Sequence, residues 1–160
     1  MDTNDDLPAT LARGLVSGLA GTAVMTAFQH LVEMPLTKRK ESFAPAALFE
    51  KLLPVAPRTK RGRRQLNYAA HFSLGAGWGV ARAAAARAGL RGQPAVAAVF
   101  AGMYPLDVLS ATALGVYTPS TWSAQDLAID LVDKLVQAQA TGLVFDALAN
   151  TPDTPAGARP

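Results

Sequence analysis

Three stretches of this chain carry almost no charge, and they restrict its possible folds more than any other feature. Gly14 to Val32 contains no Asp, Glu, Lys or Arg, and neither does Gln65 to Ala81. Gln93 to Gln125 contains only Asp107. As a helix, the run from Gly14 to Val32 rises about 28 Å, close to the thickness of a bilayer's hydrocarbon core. Charged residues make up 17% of the chain and hydrophobic ones 50%, against roughly 25% charged in an ordinary water-soluble domain. The pattern predicts an all-α polytopic membrane bundle. Its four transmembrane helices fall at about 11–32, 65–88, 94–116 and 123–149, between an acidic tail at 1–10 and a disordered tail at 150–160. The competing expectation is a soluble bundle with the last helix as its amphipathic outer member, and the three uncharged segments argue against it.

The last segment is the most polar of the four. Asp126, Asp130, Asp133, Lys134 and Asp146 are many charges for a spanning helix, each costing about 2.5–3.5 kcal/mol near the bilayer centre. Leu135 to Phe145 is nevertheless uncharged. Ser123 is a good N-cap, with Asp126 placed to complete a capping box. Pro35 is expected to stop the first helix and Pro105 to kink the third.

Nine of the fifteen Lys and Arg residues lie between Lys38 and Arg64. A basic loop beside apolar segments is the signature of cytoplasmic placement, so the first loop is expected inside and both termini outside, in a cytoplasmic or inner membrane. The expected partner of this loop is the anionic headgroup layer of the bilayer. Nucleic acid is not expected, because aromatic residues scarcely interleave the basic run before Tyr68. Within the loop, Ser42 and Pro45 suggest a short interfacial helix over about Pro45 to Leu53, apolar on the side of Phe49 and Leu52. Arg82 and Arg87 are placed to snorkel to the opposite headgroups. The acidic start Met1-Asp2-Thr3-Asn4-Asp5-Asp6 lacks the basic n-region of a signal peptide, so the first segment is expected to stay in the mature protein.

Polar residues line up along each segment at helical spacing. Thr22, Thr26, Gln29 and Glu33 form one line; Asn67, His71, Gly75, Trp78 and Arg82 a second; Asp126, Asp130, Asp133, Gln137 and Thr141 a third. Asp107 and Ser110 come from the remaining helix. Such stripes turn away from lipid. Gln29, Glu33, His71, Asp107, Asp130, Asp133, Lys134 and Gln137 are therefore candidates for an intramembrane polar seam. The seam reads first as interhelical hydrogen bonding, with Asp130 and Lys134 paired along their own helix, and second as a path for protons, an ion or a small solute.

Gly14, Gly18, Gly75 and Gly79 are expected at close helix contacts. A structural or interaction protein that self-associates into a homo-oligomer through such faces is the first functional expectation, and a small transporter or channel the second. Neither a catalytic constellation nor a cofactor motif is present. The absence of Cys excludes thiolate chemistry and disulfides. His30 and His71, with Glu33, are too few and too dispersed to predict a metal site.

Several short motifs occur in order: Glu33-x-Pro35-Leu36-x-x-Arg39, His71 followed by a small and aromatic run to Trp78, Gly92-Gln93, Gly115-x-Tyr117-Thr118-Pro119, and Trp122 before the last helix. In this the chain resembles the YagU-like family of small bacterial inner-membrane proteins, whose molecular function is unassigned. The resemblance spans Gly14 to Leu148 and implies a membrane location and four helices, but no reaction. It departs in the last helix, where Asp130, Asp133 and Lys134 stand in place of an acid followed by a Gly-His pair.

Overall fold

The computed structural model describes residues 7–150, and among these the chain is helical with no strand. Helix α1 is Leu7–Phe28. A π-helical turn, Gln29–Glu33, joins it without a break to α2, Met34–Thr37. Helix α3 is Ala44–Leu52, α4 Lys60–Arg87, α5 Gly92–Ala113 and α6 Ala124–Ala149. A single 3₁₀ turn, Pro119–Thr121, lies between the last two. The tail from Thr151 falls outside the described residues. Of the expected N-terminal tail, Leu7 to Thr10 belongs to α1, where Thr10 is buried.

Pro35 does not stop the first helix. A proline ring clashes with the carbonyl four residues earlier and offers no N–H to it. The backbone here widens by one residue, so the N–H of Met34 donates to the carbonyl of Gln29, and the helix passes the proline and ends at Thr37. Lys38 closes it in the left-handed region, at φ 60°. Helix α4 starts at Lys60, not near Gln65, because Thr59 caps it by accepting from the Gly62 N–H at 3.0 Å. At α6 the capping box forms: Ser123 Oγ accepts from the Asp126 N–H, and the Asp126 carboxylate accepts from the Ser123 N–H. Pro105 lies inside α5.

Helix α1 packs against both α4 and α6, and α5 packs against the same two from the other side. Small residues set the α1 contacts. A side chain at Gly18 would come within 2.5 Å of the Gly75 carbonyl, and one at Gly14 within 2.6 Å of the Gly79 carbonyl. Gly21 fits against Thr141 and the backbone at Gln137 on α6. The apolar core lies between α4, α5 and α6, where Trp78, Val96, Val99 and Ala138 meet Phe100 and Tyr104.

Beside this apolar core, polar side chains are buried and large apolar ones exposed, although soluble domains enrich their core in large apolar side chains and their surface in charged ones. Ser17, Thr22, Asn67, Arg82, Asp133, Gln137 and Thr141 are buried. Leu31, Leu106, Leu109, Leu127 and Leu143 are exposed, the last by 65%. Two helical stretches, Leu7–Thr37 and Gly92–Ala113, are long and apolar enough to cross a membrane. Only 28% and 22% of their most apolar windows are buried, so most of each window faces outward.

The segment expected to form an interfacial helix is α3, packed on α4. Its expected cap, Ser42, lies one residue too early, and Phe43 occupies the cap position without a side-chain bond. Asn67 of α4 does the capping instead. Its Oδ1 accepts from the Ala46 N–H at 3.1 Å, and its Nδ2 donates to the Ser42 carbonyl at 3.0 Å.

Candidate functional site

At the end of the bundle that carries the basic segment, the helices part around a cavity of about 420 Å³. Their separation follows from residue size. The glycine contacts that hold α1 against α4 and α6 end at Gly21, and beyond them Thr26, Gln29 and His30 need more room. The π turn then changes the register, so Gln29, His30 and Glu33 all reach the cavity wall. The first half of α4 contributes Tyr68 and His71, the α5–α6 connection Tyr117 and Trp122, and α6 Asp130, Asp133 and Lys134.

Hydrogen bonds tie the inner wall together across helices. Gln29 Nε2 donates to Asp133 Oδ2 at 2.7 Å, joining α1 to α6. Lys134 Nζ pairs with Asp107 Oδ2 at 3.0 Å, and the same carboxylate oxygen accepts from Trp78 Nε1 at 3.1 Å. The Lys134 ammonium also lies 5.7 Å from the Trp78 ring centre, a cation–π contact. Thr26 Oγ1 is 3.1 Å from His71 Nε2. Tyr104 lies against the Asp130 carboxylate. Tyr117, in the α5–α6 connection, is held above the ordinary phenol range by burial first, then by the Asp130 and Asp107 carboxylates, so it stays a neutral hydrogen-bond donor.

The cavity is closed at its inner end. Gln137 Nε2 donates to Thr22 Oγ1 at 3.1 Å, and Thr22 in turn donates to the Gly18 carbonyl at 2.8 Å. Beneath them the packing of Gly21 against Thr141 and of Gly18 against Gly75 leaves no room. Polar atoms continue into this packed zone without partners from the protein, namely Gln137 Oε1 and Thr141 Oγ1. At the far end, Arg82 is 1% exposed, ion-pairs with Asp146 and lies 4.4 Å from the Phe145 ring centre.

Of the residues expected in the seam, the structure brings Gln29, Glu33, His71, Asp130, Asp133 and Lys134 to this one cavity. Asp107 stands behind it as the partner of Lys134, and Gln137 forms the seal below. Two expected details change. Lys134 ion-pairs across the bundle with Asp107 instead of along α6 with Asp130, because Asp107 and the Trp78 face offer it a two-sided site. Arg82 does not snorkel; it turns inward, where a carboxylate and an aromatic face replace the headgroups. Gly14, Gly18, Gly75 and Gly79 all face one another within the chain.

No known protein family, curated protein or solved structure matches this chain. Among the described residues no three of His, Cys, Asp or Glu gather as they would to hold a metal ion, and His30 lies 3.3 Å from the Tyr68 hydroxyl. Tyr117, Trp122 and Arg39 are cavity residues that polar periodicity does not reveal, since all three lie outside the long helices. Their only sequence signal is their place in the short motifs of the family resemblance.

Proposed function

We propose that this chain is a four-span membrane protein of the cytoplasmic membrane that binds a small solute from the cytoplasmic side. The observation that carries the reading is a polar cavity, open at one end, inside a bundle whose outer surface is leucine-rich. Helices α1 and α5 supply the two apolar spans. Helices α4 and α6 have 28 and 26 residues, enough to cross with them. Their charges turn inward at Asp133 and Lys134 in α6 and at Arg82 near the end of α4, while Leu127, Leu131 and Leu135 lie outward at intervals of four. A membrane bundle of the YagU-like kind is part of this proposal. The mouth lies beside the Lys38–Arg64 segment, and the excess of basic residues there supports a cytoplasmic mouth.

A transporter or channel working along the seam is the second reading. The unpartnered polar atoms of Gln137 and Thr141, which continue below the cavity, favour it. One experiment separates the readings. The chain has no cysteine, so a single Cys at Thr26 or His71 is a unique reporter for a small, membrane-impermeant thiol reagent. Labelling in inside-out vesicles alone is the expected result. Labelling from both sides would support a through path. No labelling from either side would mean that the polar residues serve only to join helices, and the binding reading would fail.

A further inference from the structure

The unpartnered polar atoms nearest the cavity are carboxylate and amide oxygens, with the Thr141 hydroxyl deeper in the packing. Asp130 Oδ2 and Asp133 Oδ1 are buried and receive no hydrogen bond from the protein, and Gln137 Oε1 lies one turn further in. As carboxylate and amide oxygens, all three are acceptors. Asp133 is only 7% exposed and lines the cavity. Of the three cations that line the cavity, Lys134 is matched by Asp107 and Arg39 by Asp126 at 3.5 Å, while Lys40 is exposed at the mouth. Among the described residues Asp130 and Asp133 form no close ion pair, although each accepts one neutral hydrogen bond, Asp130 from Tyr104 and Asp133 from Gln29.

Leaving a buried carboxylate uncompensated is among the most costly arrangements a protein can adopt. We propose that the solute is a small organic cation with a primary ammonium group, seated between Asp130 and Asp133. This assignment rests on the cavity reading above and names its ligand. A primary ammonium brings three N–H donors and one positive charge, matching a set of acceptors that lacks both. Tyr117 and Trp122, packed edge to face at 5.2 Å, give the cavity an aromatic wall of the kind that attracts organic cations. The volume suits a molecule of several heavy atoms. A bare metal ion fits less well, because no cluster of three ligating side chains converges among the described residues.

The test uses the full chain in nanodiscs and its own tryptophans, of which there are two. Trp122 lines the cavity and Trp78 bonds to Asp107 just behind it. Methylammonium and ethylammonium chloride should change the emission saturably, whereas sodium chloride at the same ionic strength should not. Asp133→Asn and Asp130→Asn should each weaken the response at least tenfold, with thermal unfolding by circular dichroism showing that both variants fold. Glu50→Gln, on α3 and away from the cavity, should leave it unchanged. Equal affinity in Asp133→Asn and the parent chain would overturn the proposal, as would saturation by sodium acetate in place of the ammonium salts. If the cysteine reporters label from one side while no ammonium probe alters the emission, the cation assignment falls and the cavity stands. If the reporters do not label, both fall.

Discussion

Asn67 shows how much a single buried amide can organise. It satisfies a first-turn N–H of α3 and a carbonyl of the preceding segment, and so holds the basic region at the mouth of the cavity. Replacing it with Ala would strand the N–H of Ala46, a residue with 0% exposure. Such a loss costs about 1–3 kcal/mol. Asn67→Ala should therefore release α3 while the long helices stay folded, and trypsin should cut faster between Lys38 and Arg64 with little change in the unfolding midpoint. An unchanged digestion rate would show that apolar packing alone holds α3. Gly18 is the opposite kind of residue, valuable for having no side chain. Gly18→Leu would drive atoms into the Gly75 carbonyl and the Gly79 backbone, neither of which can yield without moving α4. The variant should lose most of its folded yield in detergent, and a stable bundle with Leu there would mean that α1 meets α4 on another face.

At the level of elements, the π turn of α1 links a sequence anomaly to the site. Pro35 forces the wider turn, and the wider turn swings Gln29 and Glu33 toward the same cavity. In Pro35→Ala an ordinary α-helical register becomes available, which would rotate position 33 by roughly 100° relative to α1. A cysteine at Glu33 should then label readily in the parent background and much more slowly with Pro35→Ala. Equal labelling would show that the Gln29–Asp133 bond holds the turn, not the proline. The long helices were legible because lack of charge over a bilayer's length is a property of composition. The π turn was not, since a proline in sequence reads as a stop and only the packing around it shows that the chain continues. The start of α4 was hidden for a related reason: its first turn, Lys60 to Arg64, is basic and reads as loop until Thr59 is seen capping it. The polar lines on α1 and α6 were legible from spacing alone. Partner choice was not, because Lys134 had Asp130 four residues away and took Asp107, whose proximity depends on how α5 and α6 pack.

Across the whole molecule, the two ends of the bundle handle buried charge differently. The cavity end keeps its carboxylates near an opening, whereas the far end pairs Arg82 with Asp146 inside the packing. Asp146 has a side chain 33% exposed and Arg82 only 1%, so removing one partner has unequal consequences. In Arg82→Met the carboxylate left behind can still be solvated at the helix end. In Asp146→Leu a guanidinium that never loses its proton is left buried, with Nε and Nη1 already lacking partners. Breaking a buried pair typically costs about 3–5 kcal/mol, and Asp146→Leu should approach that figure while Arg82→Met stays well below it. The double variant should recover most of the loss, since two apolar side chains can replace a buried ion pair at little cost. Thermal midpoints of the four proteins in one detergent measure the cycle. Equal penalties for the two single variants, with no recovery in the double, would mean that the Phe145 face and not Asp146 holds Arg82 in place.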